Sequence, residues 1–282
     1  MSLITYHEFA KRVISNQRYF YDNEICEFLD AVRTEIPRYE IPFPKGNSLW
    51  RAQLGSATYI KEIDGAIVDE IRGPYGEKRM KPDANKVGEG RVNARGIAVL
   101  YLCSKPTTAM HEVRPWVGSR ISVAEFTTTG DLRVVDFTAL HGKNKESLSP
   151  PRRIMGAMGT RIPPMSKKQL LEELMIDINY AFSTPVSRQE DSVQYVPTQI
   201  IVDLVKKEKY HGIAYNSVFS AGLNLALFDP SSAKMLSCGL CDVKEIGMNF
   251  GNPYDPLRSD GECHPSFLED WNRANQEQTT VS

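Results

Sequence analysis

A short apolar run near mid-chain, residues 97–103 (IAVLYLC), predicts a buried β-strand. Ser104 and Pro106 follow directly, and a hydroxyl residue with an early proline is typical of a helix start. We therefore expect a helix from this point through Glu112. The run is far too short to span a bilayer, so we assign it to a globular core. Because the strand passes straight into a helix, residues of both elements can reach one cleft.

Strands and helices elsewhere do not alternate regularly, which separates this sequence from a doubly wound parallel sheet. Pro37, Pro42 and Pro44 predict a linker after the first helices, and residues 56–89 are predicted to be an insertion with a polar loop. The expected class is α+β with a mixed, mostly antiparallel β core. The remaining predictions are strands at 48–54, 66–71, 121–126, 132–137, 212–215 and 223–228, and helices within 1–45, at 170–182 after a capping Ser166, and at 198–207.

Composition argues against several classes of protein. The 282 residues carry 34 basic and 35 acidic side chains, and this balance predicts neither nucleic acid nor an anionic membrane as a partner. The first residues lack the basic and apolar regions of a signal peptide. Five scattered cysteines favour a reducing compartment over a disulfide framework. We therefore expect a soluble cytoplasmic protein.

Familiar catalytic motifs are missing from the sequence, which has no P-loop, no GxSxG elbow and no HExxH. Cys238 and Cys241 could form a zinc site with Cys263 and His264. The adjacent Cys263 and His264 are awkward ligands for one tetrahedral ion. Reduced structural cysteines are the favoured interpretation, and we expect no metal.

Several polar residues stand where their neighbours are predicted to be buried. Arg51 lies in a predicted strand, Tyr101 lies within the central run, and Glu112 ends the predicted helix that follows it. Ser217 and Asn224 border the two last predicted strands. Taken alone, each of these residue types more often has a structural role. Arginines near strands usually extend their charged group to the surface, strand tyrosines place their hydroxyl at the edge of the core, and helical glutamates are usually solvated. Their joint arrangement makes them candidates for one site.

With their flanking segments, these residues resemble the RES domain family, which is named for an arginine, a glutamate and a serine. The first half of the resemblance is the Gly-Arg-x-Asn segment at 90–93, the tyrosine-bearing strand and Thr-Ala-x-x-Glu at 108–112. Val92 replaces the usual aromatic residue, and the stretch between Arg51 and Arg91 is longer than in compact members. The second half follows in the family's order, at 182–186 (FSTPV), 195–200 (YVPTQI), 212–217 (GIAYNS) and 224–228 (NLALF).

The resemblance covers roughly residues 48–230 and implies a fold like that of ADP-ribosyltransferase toxins, with an activity that consumes NAD+. Many members are toxins of toxin–antitoxin pairs. The domains then expected are an N-terminal helical extension at 1–45, a RES domain at 46–246 and a C-terminal tail at 247–282. The implied catalytic residues are Arg51, Glu112 and Ser217, and the implied NAD+-binding residues are Tyr101, Arg91 and Asn224, with Arg95 as a further arginine that leaves the phosphate ligand open.

These residue types suit cleavage of the nicotinamide–ribose bond. The planar fork of an arginine binds pyrophosphate, and an aromatic ring attracts the cationic nicotinamide. A fixed carboxylate stabilises the oxocarbenium-like ribose, and Glu112 is the candidate. Ser217 and Asn224 would bind the nicotinamide side or the ribose. NAD+ is then the substrate and no cofactor is expected.

Two other functions stay open at this point. A protein mono-ADP-ribosyltransferase would use the same pocket, and the basic loop at 143–168 could dock its target, although a solvated loop is the simpler interpretation. A catalytically silent binding module would keep these residues for structural reasons. A toxin would need an antitoxin that masks the pocket, with a C-terminal segment near Arg51. The sequence leaves the acceptor open between water, phosphate and a protein.

Overall fold

The computed structural model describes residues 3–16, 18–63, 66–140, 166–184 and 192–247. Most of the basic loop at 143–168 lies outside these residues, as do Cys263 and His264. The chain divides into two units at Val243, and of the second unit, Lys244–Ser282, only 244–247 are described. The predicted tail at 247–282 is therefore almost wholly outside the described residues, and the division into three domains stays a prediction.

An eight-stranded sheet in the order β1-β7-β8-β9-β5-β2-β6-β10 forms the centre of the first unit. Strands β7 and β8 are parallel, and the other neighbouring pairs in this sheet are antiparallel. The expected α+β class with a mostly antiparallel core is therefore confirmed. The strands are β1 Glu40–Phe43, β2 Ser48–Leu54, β3 Ala57–Ile63, β4 Ala66–Gly73, β5 Leu100–Cys103, β6 Arg120–Thr128, β7 Leu132–Asp136, β8 Gly212–Asn216, β9 Leu223–Leu227 and β10 Ala233–Asp242.

All but one of the described α-helices begin at a side-chain cap or an early proline; the exception is the one-turn helix Glu77–Met80, which has Gly76 at its N-cap. Thr5 and Glu8 form a capping box at the start of the first helix, and Ser166 forms another with Gln169. None of these helices is both long and apolar enough to cross a bilayer. The described helices are α1 Tyr6–Ser15, α2 Asn23–Glu35, α3 Glu77–Met80, α4 Pro106–Glu112, α5 Lys167–Ser183 and α6 Val196–Lys207.

Helices α1, α2, α5 and α6 share one hydrophobic cluster with strands β7, β8 and β9. Phe9 of α1 stacks on Phe28 of α2 with ring centroids 4.2 Å apart. Val92, which stands where the family usually has an aromatic residue, is 1% exposed in the same cluster. The N-terminal helices therefore contribute to the core that supports the loop beside Arg91.

The sheet opens between β5 and β2. In the described residues these two strands pair at one position, where Trp50 lies opposite Cys103. On its other edge β2 pairs with β6 along its whole length. Side chains alternate along β5, so Leu100 and Leu102 pack into one cluster while Tyr101 contacts another. The gap between these two central strands creates room for a cavity at the middle of the sheet.

Two strands of the sheet and one strand beside it were not predicted. Residues 40–43, expected in the proline-rich linker, form the edge strand β1, where the missing N–H of Pro42 is tolerated. The opposite edge strand, β10, is largely exposed and lacks apolar alternation, and β3 pairs with the predicted β4 in a separate two-stranded sheet. The polar loop predicted at 73–89 instead contains helix α3, whose Met80 is fully buried.

Candidate active site

A cavity of about 580 Å³ lies where the sheet opens, a size in the range of small-molecule sites. Its wall includes residues of β2, β5, β8, β9, α3, α4 and the end of α5. Among the described residues that line it, Glu112 is the sole acidic side chain, whereas Arg51, Arg79, Arg91 and Arg114 are basic. None of these arginines forms a salt bridge within the described part of the chain. The cavity is therefore suited to an anionic ligand.

Glu112, the last residue of α4, is held by two hydrogen bonds to the same oxygen. Its Oε1 accepts from Ser217 Oγ at 2.7 Å and from Asn224 Nδ2 at 2.8 Å. Its Oε2 has no hydrogen-bond partner among the described residues. One carboxylate oxygen is thus fixed by the protein, and the other is available to a ligand.

The loop after β8 is fitted closely against α4, and this fit holds Ser217 beside Glu112. The Ser217 hydroxyl also accepts from the Phe219 N–H at 3.2 Å, and the Ser217 N–H donates to the Gly222 carbonyl. Ser220 Oγ donates to Oγ1 of the fully buried Thr108 at 2.7 Å. A Cβ at Gly222 would lie 2.0 Å from the same Oγ1, so only glycine allows the loop to approach this closely.

Asn224 is oriented by a buried thiol. Cys103 of β5 donates its Sγ–H to Asn224 Oδ1 at 3.2 Å, while the amide Nδ2 donates to Glu112. Burial raises the pKa of the Cys103 thiol to about 12, and the charge of Glu112 adds to this effect. Cys103 therefore stays protonated at neutral pH and can act as a donor.

Arg51 occupies the opening between β2 and β5. Its NH1 donates to the Tyr101 carbonyl at 2.9 Å, in place of a backbone ladder bond between the two strands. Its Nε is buried without a hydrogen-bond partner among the described residues. Burial, and after it the positive charge of Arg79, lower the pKa of Arg51 to about 10. The guanidinium remains charged at neutral pH.

The Tyr101 side chain lines the cavity while its hydroxyl is committed to the loop at 90–93. This hydroxyl donates to Asn93 Oδ1 at 2.7 Å and accepts from the Val92 N–H at 3.2 Å. A Cβ at Gly90 would lie 2.8 Å from the Tyr101 hydroxyl, which accounts for the glycine. Burial raises the pKa of the Tyr101 phenol. Tyr101 therefore fixes the loop that carries Arg91.

Arg91 is anchored through its main chain and its side chain. Its carbonyl accepts from Thr198 Oγ1 at 2.8 Å, and its NH1 donates to the Phe182 carbonyl. The neighbouring carbonyl of Gly90 accepts from Gln199 Nε2 at 2.9 Å. Thr198 and Gln199 belong to the Tyr-x-x-Thr-Gln-Ile segment, whose sequence gave no indication of this supporting contact.

The structure brings together six of the seven residues implied by the resemblance, all but Arg95. Arg95 is exposed and does not line the cavity, since the chain turns away at Gly96, which has a φ of +82°. Ser217 does not line the cavity itself and belongs to the site because its hydroxyl donates a hydrogen bond to Glu112. Cavity-lining residues that the sequence did not single out for the site include Arg79, Cys103, Arg114, Ser183, Asn216 and Phe219.

Two of these additional residues, Ser183 and Asn216, place buried polar atoms on the wall. Neither Ser183 Oγ nor Asn216 Nδ2 has a hydrogen-bond partner among the described residues. Arg114 lies at the rim with its guanidinium carbon 4.8 Å from the centre of the Phe219 ring. Its φ of +46° follows the end of α4, a position where left-handed backbone commonly stops a helix.

The two described cysteines of the possible zinc site do not approach one another on one face. Cys238 and Cys241 lie three residues apart on β10, and alternation along a strand directs them to opposite sides. Cys238 packs against a hydrophobic cluster, and Cys241 is exposed. Within the described ranges no three His, Cys, Asp or Glu side chains are grouped to hold a metal ion.

The comparison with family models agrees with the resemblance read from the motifs. The RES domain profile matches residues 49–238. Among solved structures, a chain of the M. tuberculosis MbcT–MbcA toxin–antitoxin complex matches 76% of this chain and 93% of its own length, at 12% identity and a TM-score of 0.36. No curated protein matches the sequence significantly. Since the profile spans more than half of the 282 residues, the chain belongs to the RES domain family.

Proposed function

We propose that this protein is an NAD+-degrading enzyme that cleaves the nicotinamide–ribose bond, as a glycohydrolase or a phosphorylase. The observation that carries the proposal is the Glu112 carboxylate, which has one oxygen held by Ser217 and Asn224 and the other without a protein partner on the cavity wall. A carboxylate fixed in this way is pre-organised to stabilise a developing cation. Membership of the RES domain family supports the same reaction.

The charge of the cavity supports NAD+ as the substrate. A pyrophosphate carries two negative charges, and guanidinium groups bind such oxyanions through paired N–H donors. The Arg51 side chain lines the cavity, and among the described residues only its NH1 donates to a protein acceptor, so guanidinium N–H groups are left for a phosphate oxygen. The Tyr101 ring on the same wall provides an aromatic surface for the cationic nicotinamide.

In the proposed reaction, the bond between the nicotinamide nitrogen and ribose C1′ breaks and its electron pair leaves with the nicotinamide. Positive charge then develops on the ribose, and the Glu112 carboxylate stabilises it. The free Oε2 can also accept a hydrogen bond from a ribose hydroxyl, which would fix the orientation of the sugar. In hydrolysis a water oxygen bonds to C1′ and releases a proton; in phosphorolysis a phosphate oxygen takes that place.

We further propose that the enzyme acts in the cytoplasm as the toxin of a toxin–antitoxin pair. An antitoxin segment that enters the cavity near Arg51 would block NAD+ binding. Transfer of ADP-ribose to a protein is the alternative, and mass spectrometry of cellular proteins for added ADP-ribose distinguishes it from NAD+ hydrolysis.

The proposed function is tested by following NAD+ loss and nicotinamide release with purified protein, with and without phosphate. Glu112→Gln keeps the shape of the side chain but removes its charge, and we expect at least a hundredfold loss of rate, in line with single electrostatic groups in other enzymes, where about 10² to 10³ is typical. Glu27→Gln makes the same change on the exposed surface of α2 and is the control. Absence of NAD+ loss from the folded parent protein in every condition would refute the proposal.

A further inference from the structure

Helix α3 lies in the insertion at 56–89 and is fixed to the sheet. Met80 at its end is 0% exposed and packs in the cluster that contains Leu100 and Leu102 of β5. Just before the helix, the Tyr75 N–H donates to Ser122 Oγ on β6 at 3.0 Å. The helix therefore has a defined position relative to β5 and β6, although it is only one turn long.

Arg79 is held at the cavity wall by this helix. Its guanidinium carbon lies 5.3 Å from the centre of the Tyr75 ring, a cation–π arrangement that restricts the side chain. Arg79 lines the same cavity as Arg51, and its charge contributes to lowering the pKa of Arg51. The two guanidinium groups therefore present like charges to the same cavity.

Neither of these two cations is neutralised by the protein residues around it. No carboxylate pairs with Arg51 or Arg79 in the part of the chain that the structure describes. The one acidic side chain among the described lining residues, Glu112, receives its hydrogen bonds from Ser217 and Asn224. Two like charges on one wall favour an anion between them.

We propose that Arg79 and Arg51 together form an oxyanion site for a phosphate-type group, with Arg79 contributed by the insertion rather than by the motifs that define the family. Arg51 NH1 is used by the Tyr101 carbonyl and Arg51 Nε is buried, so the Arg51 NH2 group and the guanidinium of Arg79 are the groups offered to the ligand. If the ligand is NAD+, which rests on the proposed function, this site binds the pyrophosphate. Arg79 is then a residue that sets substrate affinity rather than one that takes part in bond cleavage.

The test is calorimetric titration of the full chain with inorganic pyrophosphate and, separately, with ADP-ribose, at fixed ionic strength. Arg79→Gln should weaken both about tenfold, the effect of losing one charge-assisted contact at a partly solvated site. Arg79→Lys keeps the charge and should recover part of the affinity. Lys78→Gln removes the same charge from the adjacent exposed residue, which does not line the cavity, and should change affinity less than twofold.

Three results would overturn the inference: absence of pyrophosphate binding to the parent protein, unchanged affinity in Arg79→Gln, or equal weakening in Arg79→Gln and Lys78→Gln. The last would mean that general surface charge attracts the ligand. The titrations do not depend on catalysis. An Arg79-dependent pyrophosphate site in a protein that does not consume NAD+ would therefore refute the proposed function and leave this site standing. In an active enzyme, Arg79→Gln should raise KM for NAD+ about tenfold with little change in kcat.

Discussion

Ser217→Ala removes one of the two donors to Glu112 and should slow NAD+ cleavage by acting through that carboxylate. The Oγ–Oε1 distance is 2.7 Å, and a hydrogen bond to a charged group contributes about 1.5–3 kcal/mol. Both side chains are only partly buried, so we take the lower value of about 1.5 kcal/mol, which corresponds to roughly a tenfold lower kcat. Asn224 still holds Oε1, and this second bond limits the loss.

A double-mutant cycle of Ser217→Ala and Glu112→Ala, which removes both acceptor oxygens, measures whether Ser217 works through Glu112. Rates of nicotinamide release from all four proteins give the coupling, and urea unfolding of the same proteins gives it without reference to activity. Ser48→Ala is a matched control. Ser48 Oγ donates to Glu125 Oε1 over 2.9 Å, and neither residue lines the cavity. An equal loss from Ser217→Ala in the Glu112→Ala background would show that Ser217 contacts the substrate itself, which would contradict this reasoning.

Two further predictions concern the residues that hold the site in place. Gly222→Ala puts a methyl carbon 2.0 Å from Thr108 Oγ1 and should lower the free energy of unfolding, measured by urea denaturation, by about 1–3 kcal/mol. Gly239→Ala is the control and should change this free energy much less, because no heavy atom lies within 4 Å of the added carbon. The pKa of about 12 at Cys103 leaves roughly one thiol in 10⁴ ionised at pH 8, so iodoacetamide should alkylate the exposed Cys26 and Cys241 well before Cys103, as peptide mass spectrometry would detect. Labelling should accelerate as the pH rises towards 12, and equal rates for the three thiols at pH 8 would contradict the environment described for Cys103.

Residues of the candidate site could be predicted from the sequence where a polar side chain stands within or next to a regular apolar pattern. Tyr101 interrupts an apolar run and Glu112 ends the helix that follows it, so their proximity follows from chain geometry. The cap at Ser166 and the strands near 121–126 and 132–137 were likewise predictable from hydroxyl placement and alternation.

Contacts between distant segments could not be predicted in this way. Arg79 reaches the cavity because Met80 is buried against the sheet, and nothing in its polar surroundings signals this. Arg95 seemed equivalent to Arg91 by spacing, yet the turn at Gly96 leaves it in solvent. The edge strands β1 and β10 are recruited by pairing with β7 and β6, a tertiary effect that overrides weak local propensity.

The N-terminal helices and the central sheet share one hydrophobic core. This shared core limits where a minimal active fragment could begin. The matched region starts at residue 49, but α1 and α2 precede it and contribute five fully buried side chains to that core: Phe9, Val13, Ile25, Phe28 and Val32. At about 2 kcal/mol each, their removal would forfeit about 10 kcal/mol, which equals the entire stability of many domains. The region that matches the family profile is therefore shorter than the region that must fold as one unit. A chain shortened to the matched region would lose its fold, so its inactivity would carry no information about the site.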